Sequence, residues 1–252
     1  MSSPTVDWWT SGESGPEGLR ERKKRLMRQQ LTDTATAMFL EHGFDAVRVA
    51  EIAAACGVSE KTVFNYFPSK EALILDLPEA TMAALRTGLA RADRTPTDAV
   101  LDILAGELDA IVSWLGAQPD LAEARARIRD FNAMILSTPS LRAHYRDMTE
   151  QLAAVAAEAL AERTGYGSDD PRCQIAATAL LGLWRVQFGA LRKSLDGERT
   201  PEQVRDAVTA DVRDAARLID TGLAGFGDAT ERSRNSFTEF SPDAFPERPS
   251  SG

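Results

Sequence analysis

The sequence predicts an all-α protein of about nine helices. Ala, Leu, Arg and Glu, which favour helices, dominate the chain, whereas runs of β-branched residues are few and Asn-Gly hairpin signals are absent. Apolar residues recur with a helical period, as on the face shared by Leu31, Ala35 and Phe39. With 252 residues and 43% hydrophobic content, the chain can bury a sizeable core.

Local signals place the ends of the helices nearest the N-terminus. Gly43 suits the position that follows the first helix, because glycine readily ends helices. Ser59 is a good N-cap for the third helix, and Pro68 ends it. The nine predicted ranges are 19–42, 49–55, 60–67, 70–91, 98–115, 120–137, 140–163, 172–195 and 202–226.

The fourth predicted helix contains a proline. Ser69 can cap its start, and Leu73, Ile74 and Leu77 supply its apolar residues before Pro78. Because an interior proline removes a backbone hydrogen bond, we expect a kink at Pro78. The helical pattern then resumes on the far side.

Proline-containing breaks separate the remaining helices. The segments 95–97 and 138–140 each hold a proline between hydroxyl residues, and Pro119 opens the sixth helix. A Gly-, Asp- and Pro-rich loop at 165–171 precedes the eighth helix, and Pro201 lies near the start of the ninth. Each break therefore starts a new helix of the body.

Both ends of the chain differ in composition from the rest. Residues 1–18 and 228–252 are rich in Ser, Gly, Pro and Glu and show no apolar period, so we expect disordered tails. Between them we expect a small domain at 19–77 and a larger helical domain at 78–227. No run of about 18 apolar residues predicts a membrane span, and no secretory pattern occurs. We therefore expect a cytoplasmic protein with no membrane partner.

The charge is unevenly distributed along the chain. The net charge is −9, yet residues 17–75 hold nine Lys or Arg and eight Asp or Glu, so the remainder carries −10. Within residues 19–30 there are six basic residues and one acid. Such a basic run is either a footprint for a polyanion or an ordinary solvated helix start.

Two short helices joined by a tight turn at Gly57 form the most informative motif. An apolar helix over 49–55 runs into this turn, and the helix that follows carries Lys, Thr, Asn and Tyr instead of an apolar coat. This arrangement is typical of a helix-turn-helix, whose second helix enters the DNA major groove. Val63 would anchor that helix, and its exposed aromatic residues favour a binding role.

The residue types around this helix suit contacts with DNA. Thr and Asn can bond base edges, Thr and Phe can touch a thymine methyl group, and Tyr and Lys suit phosphate oxygens. Arg48 either contacts a phosphate or is merely solvated. The candidate DNA-binding residues are Arg48, Ser59, Glu60, Lys61, Thr62, Phe64, Asn65, Tyr66 and Lys70.

The motif residues follow one another in an order typical of a known family. They are Gly43-Phe44, Ile52-Ala53-Ala54-Ala55, Gly57-Val58-Ser59, Thr62-Val63-Phe64, Tyr66-Phe67 and Lys70. Over residues 19–77 this series resembles the DNA-binding domain of TetR-family (tetracycline-repressor-like) transcription regulators. The resemblance implies a three-helix module joined through helix four to a larger ligand-binding and dimerisation body. It also implies a homodimeric repressor, released by a small-molecule effector from a pseudo-palindromic operator.

The chain departs from the family pattern at two places. The family usually has Tyr where Phe64 stands, so a hydroxyl contact is lost there. It usually has Thr or Ser before helix two, where this chain has Val47 and Arg48, so a hydroxyl cap is missing. These differences bear on the operator sequence and leave the expected mode of binding unchanged.

For the body, the resemblance implies an effector site among the central helices and a dimer interface at the end of the chain. The homodimer would form through the helices at about 172–195 and 202–226. The first of these is apolar over much of its surface, which requires cover from a second copy or from within one monomer. The candidate effector contacts are Trp114, Phe131, Met134, Tyr145, Met148 and Trp184. Residues of these types are more often plain core than ligand lining, so a core role is the alternative for each.

No pattern for catalysis, metal binding or a cofactor occurs in the sequence. The two histidines, His42 and His144, stand alone, and the two cysteines form no disulfide framework. We therefore predict a regulator without metal or cofactor, and an apolar lining would favour a lipophilic effector. The alternative is a helical adaptor whose body binds a protein partner and whose DNA module is not used.

Overall fold

The computed structural model describes residues 18–76 and 79–222, and the structural statements below refer to these residues. They form nine α-helices and one 3₁₀ turn, without a strand, which confirms the all-α prediction. In chain order the elements are α1 Leu19–His42, α2 Val49–Ala55, α3 Glu60–Tyr66, the 3₁₀ turn Glu71–Leu73, α4 Glu79–Ala90, α5 Pro96–Gly116, α6 Leu121–Ser137, α7 Pro139–Thr164, α8 Pro171–Leu195 and α9 Pro201–Gly222.

Several expectations fall outside the described residues. The predicted tails lie there, apart from Gly18, and so do Leu77 and Pro78. The expected kink at Pro78 therefore stays a prediction.

The segment after α3 differs from the prediction of a helix beginning near residue 70. Ser69 does accept a hydrogen bond from the backbone N–H of Ala72 at 3.2 Å, but it caps only the 3₁₀ turn. Ala72, Leu73, Ile74 and Leu75 are all buried. Four consecutive side chains cannot all face inward from one side of an α-helix, so burial breaks the helix here.

The first three helices pack around a shared apolar centre. Leu31 and Phe39 of α1 meet Ile52 of α2 and Val63 of α3, all with almost no exposed surface. Gly57 makes the turn between α2 and α3 with a φ of 69°, a conformation that favours glycine. The backbone N–H of Val58 closes the turn by donating to the Ala53 carbonyl oxygen at 2.9 Å.

The remaining six helices form the body. In it, α8 packs between α7 and α9, while α5 contacts α9 and α4 lies against α5 and α7. The last helix buries one stripe of residues spaced by four, Val204, Val208, Val212 and Ala216. None of the helices in the described part of the chain is long and apolar enough to cross a membrane.

A direct contact joins the body to the segment that follows α3. The ring Nε2 of His144 on α7 lies 2.8 Å from the carbonyl oxygen of Leu75. Because a carbonyl oxygen can only accept, Nε2 carries the proton in this contact. In addition, α1 contacts α6, so the N-terminal helices rest on the body at two places.

Candidate nucleic-acid interface

The short helix α3 is anchored by one face and exposed on the other. Val63 is only 1% exposed and packs into the centre of the N-terminal helices. Lys61, Phe64 and Asn65 point to solvent, and Phe64 keeps 47% of its surface exposed. The predicted outward presentation of polar and aromatic residues is therefore present in the structure.

The N-terminus of α3 is capped by a pair of hydroxyl groups. Ser59 Oγ accepts a hydrogen bond from the backbone N–H of Thr62 at 3.1 Å and lies 2.8 Å from Thr62 Oγ1. Since one hydroxyl donates to the other, the second keeps its own O–H free to donate outward. The cap thus holds Thr62 in place without using up its polar capacity.

An open groove joins α3 to the basic start of α1. Thr62, Asn65 and Tyr66 line one side, while Leu19 and three exposed basic residues line the other. Those basic residues are Arg20, Lys23 and Lys24. We call this surface the α1–α3 groove. The basic run and the polar helix, which the sequence showed only as separate features, therefore share one surface.

Arg28 fixes the C-terminal end of α3 from within α1. Its Nη1 donates to the Tyr66 carbonyl oxygen at 2.7 Å, and its Nη2 pairs with the Asp76 carboxylate. The guanidinium also lies over the Phe67 ring, 4.4 Å from the ring centre. Arg28 is therefore a structural part of the basic run and is turned away from the groove.

Lys70, one of the predicted DNA contacts, also makes contacts within the protein. Its Nζ donates to the Phe44 carbonyl oxygen at 2.5 Å and lies 4.3 Å from the centre of the Phe44 ring and 5.5 Å from that of Phe39. The ammonium group is thus held against the connection between α1 and α2. Lys70 is half-buried here, and its predicted phosphate contact stays a prediction.

Glu51 binds the backbone N–H of Arg48 at the start of α2, where the sequence lacks a hydroxyl cap. Its carboxylate accepts from the Arg48 backbone N–H at 2.8 Å and from Arg48 Nη2 at 2.9 Å. The backbone hydrogen bond, followed by the side-chain one, lowers the pKa of Glu51. Arg48 remains exposed with part of its charge engaged by Glu51, and its contact with phosphate stays a prediction.

The predicted effector residues are only partly covered in the body. Phe131 is buried, whereas Trp114, Met134, Tyr145, Met148 and Trp184 are half-buried. Two of these, Tyr145 and Trp184, are grouped around a carboxyl group that the sequence analysis missed, that of Glu107 on α5.

Glu107 lies at the junction of three helices. Its Oε1 accepts from Thr81 Oγ1 on α4 at 3.1 Å, and its Oε2 accepts from Trp184 Nε1 on α8 at 2.9 Å. Burial raises the pKa of Glu107 to about 7, against the opposing effect of both hydrogen bonds. Burial, and then the charge of Glu107, raises the pKa of Tyr145 as well. The sign of this site in the sequence is an acidic residue with Ile103 four positions before it and Ile111 four positions after it.

Comparison with known proteins agrees with this architecture. Residues 31–77 match the family model described as bacterial regulatory proteins, tetR family, and residues 115–223 match the one described as the MftR C-terminal domain. The HTH-type transcriptional regulator TcmR of Streptomyces glaucescens is 32% identical over 185 residues, which cover 68% of this chain and 76% of TcmR. This chain belongs to the TetR family of transcriptional regulators. It is accordingly a DNA-binding regulator of transcription.

Two further comparisons span most of the chain. The mycofactocin biosynthesis transcriptional regulator MftR of Mycobacterium tuberculosis is 29% identical over 162 residues, covering 64% of this chain and 78% of MftR. The solved structure of Salmonella enterica GusR covers 79% of this chain and 96% of its own, at 18% identity and a TM-score of 0.42. TcmR and MftR are both named as transcriptional regulators and not as enzymes.

Proposed function

We propose that this TetR-family regulator is a homodimeric repressor that leaves a pseudo-palindromic operator when a small molecule binds its body. The observation that carries the proposal is the α1–α3 groove, in which Thr62 and Asn65 face exposed Arg20, Lys23 and Lys24. A polyanion with readable base edges complements such a surface. An adaptor with an unused DNA module would not need both features together.

The two sides of the groove have different roles in DNA binding. Lys61, Thr62 and Asn65 suit base edges in the major groove, because each offers a donor or acceptor on the exposed side of α3. The lysines and arginine of α1 suit the flanking phosphates and set the register. In this proposal residues 19–77 bind DNA, and residues 78–227 bind the effector and the second subunit.

The proposed dimer uses the outer faces of α8 and α9. Ile175 on α8 is 64% exposed and Leu218 on α9 is 78% exposed, the two most exposed large apolar residues of the body. Along α8, small half-buried residues such as Ala179 and Gly182 would let a second helix approach closely. For both copies of α3 to enter successive major grooves, the dimer must hold them about 34–36 Å apart.

Release in this proposal follows from the position of the body against the N-terminal helices. An effector can shift the dimer only if it binds one arrangement better than the other. The elements that would transmit the shift are α4, the first helix of the body, and the contact between His144 of the body and Leu75 of the segment that follows α3.

Binding to DNA from upstream of the chain's own gene tests the proposal. We expect the full chain to bind a fluorescent duplex from this region, with affinity that falls steeply with salt. Asn65→Ala should weaken binding to this duplex more than binding to a random duplex, whereas the exposed-residue control Glu158→Ala on α7 should leave both unchanged. Equal binding of the full chain to every duplex would contradict the proposal, and absence of any binding would favour the adaptor.

A further inference from the structure

The Glu107 carboxylate is a polar group set into an apolar surface. On α5, Ile103, Glu107, Ile111 and Trp114 follow one another at helical spacing, and all four are half-buried. These four side chains are neither buried in the core nor fully exposed to solvent. Each of the four side chains therefore keeps part of its surface open to solvent.

Other helices supply apolar walls around this stripe. Thr81 of α4 and Trp184 of α8 reach Glu107 directly, while the charge of Glu107 acts on Tyr145 of α7. Met82, the neighbour of Thr81, is also half-buried. The group of side chains around the carboxylate, which we call the Glu107 recess, therefore combines aromatic and aliphatic residues with one acidic group, and the charge of Arg185 also acts on Tyr145.

The acid in the Glu107 recess has no cationic partner among the described residues. Both hydrogen bonds to its oxygens come from neutral donors, a hydroxyl and an indole N–H. No ion pair with Glu107 occurs among the described side chains, although exposed acids such as Asp109 and Asp102 are paired with arginines. A half-buried carboxylate without a counter-charge is costly, and a bound cation would compensate it.

We propose that the Glu107 recess binds a lipophilic amine whose ammonium group pairs with the Glu107 carboxylate and whose apolar part lies along α5. This inference rests on the proposed function, because it names the chemical class of the effector at the same body site. Charge complementarity selects the ammonium group, and the surrounding Ile103, Ile111 and Trp114 select the apolar part.

The same carboxylate offers a route from the ligand to the DNA-binding helices. Glu107 Oε1 holds Thr81, which lies in the first turn of α4. An ammonium group that takes this oxygen competes with Thr81 and loosens the start of α4. That start follows, a few residues further along the chain, the 3₁₀ turn Glu71–Leu73, which packs against α1. The ligand therefore acts on the element that connects body and groove.

Three probes with one apolar tail test the ligand class. They are 4-phenylbutylamine, 4-phenylbutanol and 4-phenylbutyrate, which differ only in carrying a cation, a neutral hydroxyl or an anion. Binding to the full chain is measured by calorimetry and by quenching of tryptophan fluorescence. We expect the amine to bind about tenfold more tightly than the alcohol, as a charge-assisted contact implies, and the acid to bind most weakly. Equal binding, preference for the acid, or no binding of any probe would overturn the proposal.

Matched variants assign the preference to Glu107. Glu107→Gln keeps the shape and hydrogen-bonding capacity but removes the charge, so the preference for amine over alcohol should disappear. Glu150→Gln, at an exposed position of α7, should keep it. Thr81→Val should bind the amine at least as well as the native chain but release DNA less in response, which provides a second readout if Glu107→Gln folds poorly. An unchanged preference for the amine in Glu107→Gln would show that Glu107 does not bind the ammonium group.

DNA binding without any probe separates this inference from the proposed function. If the unliganded chain binds its upstream DNA and the amine shows no preference, only the ligand class fails. If the unliganded chain binds no DNA, the proposed function fails, whatever the probes do. The expected pair of results is DNA binding by the free chain and its loss on addition of the amine.

Discussion

Arg28 on α1 donates a hydrogen bond to the carbonyl oxygen of Tyr66, 2.7 Å away at the last residue of α3. One side chain thus sets the angle of the recognition helix against the helix that carries the basic run. The same guanidinium stacks on Phe67 and pairs with Asp76, so its position is fixed from three sides. The orientation of α3 therefore depends on a residue outside the proposed DNA contacts.

Arg28→Met should reduce DNA affinity without removing a DNA contact. Methionine keeps much of the apolar stem but leaves the Tyr66 carbonyl without its donor, which costs about 1–2 kcal/mol of unfolding free energy. Urea unfolding and duplex binding would measure the two effects. Because the Asp76 pair is about one-third exposed, Asp76→Asn should cost less than Arg28→Met. Equal losses for both variants would contradict the central role of the Tyr66 contact.

Lys24→Ala should weaken DNA binding in a different manner from Asn65→Ala. Loss of a phosphate contact lowers affinity for all duplexes and reduces the salt slope by about one, whereas loss of a base contact lowers discrimination by about 1–3 kcal/mol. Both residues line the α1–α3 groove and are exposed, so neither change should alter stability. Titrations at several salt concentrations distinguish the two, and an unchanged salt slope for Lys24→Ala would place α1 outside the interface.

Sequence reasoning located α3 because its signals are local. Ser59, Gly57 and Pro68 act within a few residues of the positions they determine, and the structure places the helix over Glu60–Tyr66. The inward turn of Lys70 could not be read in this way, since its acceptor is the backbone of Phe44, far away in sequence. Every residue has a backbone carbonyl oxygen, so the residue type does not show which one accepts a hydrogen bond.

Tertiary contacts also explain what was missed after α3 and in the body. The burial of Ile74 and Leu75 depends on how α1 and α7 cover them, which overrides the helical pattern around Ser69. Glu107 was visible as an acid between isoleucines, but its partners Thr81 and Trp184 come from other helices. The spacing of apolar residues predicts which face of α5 points inward. It does not predict which residues of other helices contact that face.

Glu107 should make the protein less stable as the pH rises towards neutrality. Its pKa is about 7 in the folded protein, against the ordinary value of 4.5 for a glutamate, so the folded state holds the extra proton between these values. The stabilisation is fully present below pH 4.5 and is lost as the pH passes through about 7. The pKa shift limits the effect to about 3 kcal/mol, and partial solvent access of the side chain makes about 1–2 kcal/mol the expected size.

Glu107→Gln should remove this part of the pH dependence. Urea unfolding of both proteins at pH 5 and pH 7.5, at one fixed protein concentration, measures the difference. We expect the variant to lose less stability than the native chain between the two pH values. The exposed-residue control Glu150→Gln should behave as the native chain does. A parallel decline in native chain and Glu107→Gln would show that Glu107 carries no raised pKa.

Ile175→Asp combined with Leu218→Asp should abolish dimerisation and, with it, tight operator binding. Both side chains are largely exposed on α8 and α9, so aspartate is tolerated in a single chain but would bury an unpaired charge at a two-fold interface. The matched control is Leu136→Asp, since Leu136 is 42% exposed on α6 and lies beside the C-terminal end of α8, at the far end of that helix from Ile175. Light scattering should give monomers for the double variant and dimers for the control.

Because two linked modules bind far more tightly than one, the double variant should also need about a hundredfold more protein to occupy the operator. A dimeric double variant would place the subunit contact elsewhere.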